Sequence, residues 1–340
     1  MDRVLTHGQF ILGPEVERFE KRVAKYCNKQ FAVGVSSGTD SLYLAMRSLD
    51  IGPGDEVITT PLSWIATLNA ITICGATPVF VDIKEDLNIN SDLIAEKITP
   101  RTKAILPVHF TGKLCDIEKI SEIAKYHDLY LIEDAAQAFG ASKNGKIAGS
   151  FGTVGCFSMN PMKVFNSFGE SGVVVTDDKI LYNKLIALRY NGTLNKEDCH
   201  YPSLNGRIDT LQAAMMLINL GYLDKKIEKR QKISDRYNSG LKNVVSCPKD
   251  DGSYHVYYNY TIVAESRNKL MAYLQENGIE TKIQHPCLMP YHTAYKLLKR
   301  PNIPVAEYLV ERILCLPNQE DLTDFEVDYV IEHVMKFYQS

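Results

Sequence analysis

Apolar residues recur along this chain in two spacings, a three-to-four-residue step and short unbroken runs, which are the signatures of helices and buried strands. Glu15–Cys27 places Val16, Phe19, Val23 and Ala24 on one helical face. Phe31–Val35 reads as a short strand. Ser41–Leu49 follows as a helix, opened by Ser, Thr and Asp, whose side chains cap free backbone N–H groups. Glu56–Thr60 is predicted as a strand after the turn Gly52-Pro53-Gly54-Asp55. Ile65–Cys74 is a helix stopped by Gly75, and Thr77–Asp82 a strand. Ala104–Val108 (strand), Ile117–His127 (helix) and Leu129–Glu133 (strand) continue the alternation. The last is apolar until it ends in acids, as expected of a strand covered on both faces of a parallel sheet. Residues 151–176 predict short strands with a turn between them. Leu181–Tyr190 and Leu211–Lys229 predict helices, the second a long one.

After Pro248 the texture changes. Tyr254–Val263 predicts a strand, Arg267–Asn277 a helix ended by Gly278, and Thr323–Phe337 a terminal helix. The order of elements predicts an α/β fold: a mostly parallel central sheet sandwiched by helices, plus a smaller C-terminal α/β domain. The boundary is expected near 235–250, dividing a large domain, 1–240, from a small one, 241–340.

Composition removes several function classes. The chain has 340 residues, 45% apolar and 23% charged, enough for a sizeable core and against global disorder. Basic and acidic residues number 38 and 41, so no basic excess calls for nucleic acid or an anionic membrane. No apolar run approaches the roughly 18 residues of a membrane span, and no apolar signal core opens the chain. Eight cysteines stand singly without a CxxC, which argues against a zinc site and for free thiols in a reducing cytoplasm. No metal site is expected.

Ligands of open α/β sheets gather at the C-terminal ends of strands. Three such segments stand out. Val35-Ser36-Ser37-Gly38-Thr39-Asp40 joins a strand to a helix through small and hydroxyl residues, a natural phosphate seat. An ordinary capped helix would read the same. Ile132-Glu133-Asp134-Ala135-Ala136-Gln137 ends a strand in two carboxylates and then small residues. A carboxylate there can hold a positive ring nitrogen beside room for a flat ligand, or simply solvate the strand end. The third runs Gly155-Cys156-Phe157-Ser158-Met159-Asn160-Pro161-Met162-Lys163 and then Phe168-Gly169-Glu170-Ser171-Gly172. A lone lysine in an apolar loop is a Schiff-base candidate if desolvated, although most lysines are solvated surface residues. Together the three supply what a protein must offer pyridoxal 5'-phosphate: a phosphate seat, a pyridinium partner and an amine.

Further motifs run the length of the chain: Phe10-Ile11-Leu12-Gly13-Pro14-Glu15-Val16, Ser37-Gly38-Thr39-Asp40-Ser41-Leu42, Gly52-Pro53-Gly54-Asp55-Glu56-Val57, Gly75-Ala76-Thr77-Pro78-Val79-Phe80-Val81-Asp82, Pro107-Val108-His109-Phe110-Thr111-Gly112, Glu133-Asp134-Ala135-Ala136-Gln137 and Leu316-Pro317. In these the sequence resembles the DegT/DnrJ/EryC1/StrS sugar aminotransferases of fold-type I. The resemblance implies Lys163 as the lysine that bonds the cofactor and moves the proton. Asp134 is implied beside the pyridine nitrogen, Gln137 near the phenolic oxygen and Ala136 under the ring. Trp64, the single tryptophan, is implied on the opposite ring face. Gly38, Thr39 and Ser158 match phosphate contacts. Asn205 resembles the asparagine that reaches the phosphate from a neighbouring subunit, although Gly206 stands where the family usually has Ser. That carry-over implies a homodimer with a shared site. His109 and His285 align near the family's substrate cleft.

Two departures stand out. The family carries further residues before the Phe10–Gly13 motif, so Arg3-Val4-Leu5 is expected to be the tail of a helix and the chain to be truncated or to start late. The loop after Lys163 reads Val-Phe-Asn-Ser-Phe in place of the commoner Asn-Leu-Gly-Ala. The resemblance implies transfer of an amino group from L-glutamate to a keto-sugar, nucleotide-linked or a keto sugar acid, for surface polysaccharide or antibiotic sugars. Alternatives are a sugar dehydratase, whose relatives typically carry His at the lysine position, and a non-catalytic cofactor-binding regulator. A nicotinamide reductase is disfavoured because no GxGxxG follows the first strand.

Overall fold

The computed structural model describes residues 1–339. The first half runs α1 (Asp2–His7), α2 (Pro14–Tyr26), β1 (Phe31–Val35), α3 (Gly38–Ser48), β2 (Glu56–Thr59), α4 (Ile65–Ile73), β3 (Thr77–Phe80), β4 (Thr102–Leu106), α5 (Ile117–Tyr126) and β5 (Tyr130–Asp134). A two-strand hairpin follows, β6 (Ser142–Lys143) and β7 (Lys146–Ile147). Then come β8 (Val154–Ser158), β9 (Gly172–Thr176), α6 (Lys179–Leu188), α7 (Thr210–Asn219) and α8 (Leu223–Leu241). The chain closes with β10 (Tyr260–Val263), α9 (Arg267–Glu276), α10 (Pro304–Val310), β11 (Ile313–Leu316) and α11 (Asp324–Gln339).

Seven strands make the central sheet in the order β1-β9-β8-β5-β4-β2-β3. β9 pairs antiparallel with both β1 and β8, and the remaining pairs are parallel, so β9 alone runs against the other six. Alternation along each strand sends neighbours to opposite faces. Ile58, Ile105, Leu131 and Val175 meet Phe19 of α2, Ile120 of α5 and Met216 of α7 on one face. Val57, Leu106, Ile132 and Val174 meet Leu44 of α3, Ile71 of α4 and Leu185 of α6 on the other. The expected sheet sandwiched by helices is what forms. All five residues of β9 are buried, as its Gly-Val-Val-Val-Thr sequence demands.

The predicted long helix 211–229 is instead two helices. Gly221 N–H reaches back to the Ile218 carbonyl (3.0 Å) and Tyr222 N–H to that of Asn219 (3.0 Å), tightening the last turn of α7 before α8 begins. Apolar spacing continues through this break, so periodicity alone does not reveal it. α8 then runs on to Leu241 and serves two cores. Leu223 and Ile227 pack into the sheet core, and Ile233, Tyr237 and Leu241 into a separate one with α9 and α11. The chain therefore passes from one body to the other inside a helix rather than through a linker.

Only the second half of the predicted strand 254–263 pairs, as β10 with β11. The first half is held by segments between β4 and β7 instead. Tyr254 N–H bonds Ser142 O (2.7 Å), Val256 N–H bonds Gly112 O (3.1 Å), and Tyr257 takes a positive φ of 47°. α10, β11 and the β6–β7 hairpin escaped the apolar pattern. The Arg3-Val4-Leu5 segment does form a helix, α1, which buries Val4. A further cluster joins the bodies, with Leu62, Ile83 and Phe110 against Leu288, Ile303 and Leu309. Asp82 fastens the same junction by accepting from the first N–H groups of α10, Val305 (2.8 Å) and Ala306 (2.9 Å). Among the described residues no helix is long and apolar enough to cross a membrane.

Candidate active site

The two acids that end β5 point to opposite sides of the sheet. Glu133 is fully buried and accepts from the backbone N–H groups of Gly149 (2.7 Å), Phe151 (2.7 Å) and Gly152 (2.6 Å). His109 meets it at 3.0 Å through Nε2, and its Nδ1 accepts from Cys115 N–H (3.3 Å). His109 is 0% exposed, with both ring nitrogens committed. The expectation that it faces the substrate cleft is thereby corrected: it braces Glu133 and the loop after β4.

Asp134 faces the other way, into a cavity of about 570 Å³ at the strand ends. Thr67 Oγ1 donates to its Oδ2 (2.8 Å) and Ala136 N–H to its Oδ1 (3.1 Å). Thr67 is itself held by Ser63 Oγ (2.9 Å). Burial pushes the Asp134 carboxyl above the usual range, against the pull of these donors and of Lys163. No cation lies within ion-pair distance of it among the described residues.

Lys163 hangs in the loop between β8 and β9. Its neighbours Val164 and Phe165 are buried, and Phe165 packs on Phe139 with ring centroids 4.5 Å apart. The departure noted after Lys163 thus anchors the loop to the sheet core. The Lys163 side chain is half-buried, with Nζ 4.5 Å from the centre of the Tyr258 ring. Burial brings its amine down to about 8, with Lys282 adding to the effect and Asp134 and Glu170 opposing it.

At the far end of the cavity Ser37 caps α3, its Oγ accepting from Asp40 N–H (3.0 Å). The N–H groups of Gly38 and Thr39 are left to meet a ligand at the positive end of the helix. Ser158, the last residue of β8, lies against Gly38 so closely that a Cβ there would sit 2.5 Å from the Ser158 Cβ. Gly38→Ala must therefore push the seat open. We expect apoprotein titrated with pyridoxal 5'-phosphate and followed by absorbance to show affinity weakened about tenfold or more, and a thermal midpoint lowered by overpacking of about 1–3 kcal/mol.

Trp64, at the start of α4, is 60% exposed and lines the cavity. A core role for it is excluded. Its ring is 5.6 Å from that of His285, which also contacts Phe110 at 5.8 Å. Burial lowers His285 to about 4, helped by Lys163, Lys282 and His292, so its imidazole is neutral at physiological pH. Gln137 accepts Thr111 N–H at Oε1 (2.9 Å), which leaves its NH₂ to donate. Ala136, half-buried, completes the wall.

Gly38, Thr39, Trp64, Asp134, Ala136, Gln137, Ser158, Lys163 and His285 thus meet in one cavity. Asn205 does not: it is exposed, outside this cavity, and accepts from Arg207 Nε (2.7 Å). Sequence reasoning missed Ser63, Thr67, Glu170, Tyr258, Lys282 and Gln284 in the wall. Hydroxyl residues just beyond β2 were the available signal for the first two, and Glu170 stands within the quoted segment after Lys163; Tyr258, Lys282 and Gln284 come from distant segments.

The donor set fits pyridoxal 5'-phosphate. A buried carboxylate without a counter-ion suits a protonated ring nitrogen, two free N–H groups and Ser158 suit a phosphate, and a desolvated amine suits an aldehyde carbon. The profile of the DegT/DnrJ/EryC1/StrS aminotransferase family matches residues 1–335. The chain is 38% identical to the dTDP-3-amino-3,6-dideoxy-alpha-D-galactopyranose transaminase of Aneurinibacillus thermoaerophilus, over 99% of this chain and 94% of that protein. Streptomyces venezuelae DesV, solved in complex with a ketimine intermediate, is 37% identical with a TM-score of 0.96, over 100% of this chain and 93% of that one. The ntda protein of Bacillus subtilis, solved with bound cofactor PMP, is 32% identical with a TM-score of 0.93, over 100% and 80% of the two chains. The profile spans nearly the whole chain and the fold superposes on solved members, so this chain belongs to the DegT/DnrJ/EryC1/StrS aminotransferase family, which works with pyridoxal 5'-phosphate.

Proposed function

We propose that this protein moves an amino group from L-glutamate to a keto-sugar carried on a nucleotide, in the cytoplasm, for surface polysaccharide or antibiotic sugar synthesis. The observation that carries the reading is that Lys163 and Asp134 line one cavity together with Trp64 and Ala136. Pyridoxal 5'-phosphate, when bound, supplies the electron sink for charge developing at the carbon that loses its proton. Asp134 would keep the ring nitrogen charged. Gly38, Thr39 and Ser158 would hold the phosphate, and Gln137 would donate to the phenolic oxygen. Lys163 would hold the cofactor covalently at rest and, once displaced, would take the proton from the substrate carbon that bears the nitrogen and pass it to the cofactor. An amine brought down to about 8 keeps a usable neutral fraction for that task.

The same reading makes the working unit a homodimer, with Asn205 of the partner subunit reaching the phosphate. Its support is the exposed position of Asn205 and the bare apolar residues near the start of α7. Phe10, Ile11 and Phe168 are 48%, 46% and 67% exposed there, tied to α7 through Thr210, Asp209 and Gln212.

The test is a panel of nucleotide-linked and free keto-sugars incubated with L-glutamate. We expect about one equivalent of 2-oxoglutarate per active site without acceptor, and continuous turnover with the matching keto-sugar. Cofactor binding with no 2-oxoglutarate at all would mean a regulator, and loss of water from the sugar without nitrogen transfer would mean a dehydratase.

A further inference from the structure

A second cavity of about 560 Å³ lies beside the active one, between residues 278–282, residues 315–319 and the first turns of α11. Two residues belong to both walls, Tyr258 and Lys282. The Lys282 backbone is fixed by pairing with Cys315, donating at 3.1 Å and accepting at 2.8 Å. Its side chain is exposed, and no carboxylate lies within ion-pair distance of it among the described residues. The other strong cation on the second wall, Arg230, is already neutralised by Glu320 at 2.8 Å.

The polar groups around Lys282 are incomplete as well. Gln284 Oε1, Thr281 Oγ1, Asn259 Nδ2 and Asn318 Oδ1 are buried atoms without a hydrogen-bond partner. Gln284 is 4% and Asn318 6% exposed, and all four residues line one of the two cavities. Buried polar groups are paired in nearly every native fold, and exceptions mark places that a ligand or bound water completes. An unpaired ammonium close enough to depress Lys163 is also a cost that an incoming anion removes.

We propose that Lys282 is the anion anchor of the substrate cleft. Its ammonium binds a carboxylate or phosphate oxygen of the substrate at the junction of the two cavities, and the flanking amides take up neighbouring polar atoms. The reacting end of the substrate then lies toward Lys163. The assignment rests on the aminotransferase reading and names the residue that receives the substrate's charge.

Isothermal titration of the holoprotein with glutarate and, separately, with thymidine diphosphate tests it. Lys282→Met and Lys282→Gln should weaken binding by about 10- to 100-fold, the range of a lost charge-assisted hydrogen bond, and Lys282→Arg should keep most of it. Weakening confined to glutarate assigns the anchor to the donor carboxylate, weakening confined to thymidine diphosphate assigns it to the acceptor phosphate, and weakening of both assigns it to each in turn. If neither dissociation constant moves in either variant, the anchor is overturned. Borohydride labelling of Lys163 and formation of 2-oxoglutarate, run in parallel, show whether the aminotransferase reading still stands in that case.

Discussion

Lys163→Ala should form 2-oxoglutarate from glutamate at least about 10⁴-fold more slowly than the parent, the upper range for a lost general acid–base group. Borohydride reduction and peptide mapping should put the cofactor's mass on the Lys163 peptide in the parent and on no peptide in the variant. The fold should not suffer. Lys163 Nζ makes no ion pair among the described residues, and its contact with the Tyr258 ring is worth about 0.5–2 kcal/mol. Val164 and Phe165, not Lys163, hold the loop to the core. Apoprotein thermal midpoints of parent and variant should therefore agree within a few degrees. Full turnover by Lys163→Ala, or a label on another lysine of the parent, would remove the chemical centre of the reading.

How far the sequence shows this site depends on how local each relationship is. The turn Ser37-Gly38-Thr39 and the strand-end pair Glu133-Asp134 are legible because a strand, its terminus and the next helix are contiguous in the chain. Which acid serves the cleft is a question of alternation. The structure answers it through Glu133, saturated by three backbone N–H groups and His109. His109 misled for the same reason: a histidine at a strand end carries no local mark of the face it turns to. Thr67, Tyr258 and Lys282 reach the cavity through long-range packing, which no periodicity encodes. The break at Gly221 is a tightened last turn that apolar spacing runs straight through, and the stretch 254–259 is held off β11 by tertiary hydrogen bonds to Ser142, Gly112 and Thr111 that override the local pattern.

Asp134→Asn should separate function from stability in opposite directions. Asparagine has the same shape and can still accept the Ala136 N–H and pair with Thr67, so the local geometry survives. What disappears is the charge opposite the ring nitrogen. Two unit charges in contact attract by about 4 kcal/mol at an effective dielectric of about 20, so the glutamate half-reaction should slow by about 10³-fold. In the apoprotein the same carboxylate is a liability. Burial raises its pKa above the unfolded value, so ionising it costs folding free energy as pH rises past about 4, the unfolded carboxyl value. Apoprotein Asp134→Asn should therefore match the parent near pH 3.5 and melt at an equal or higher temperature at pH 7, by differential scanning calorimetry. An apoprotein that melts well below the parent at pH 7 would mean that Asp134 is held by its own partners as a structural anion. Its place beside the cofactor would then need another justification.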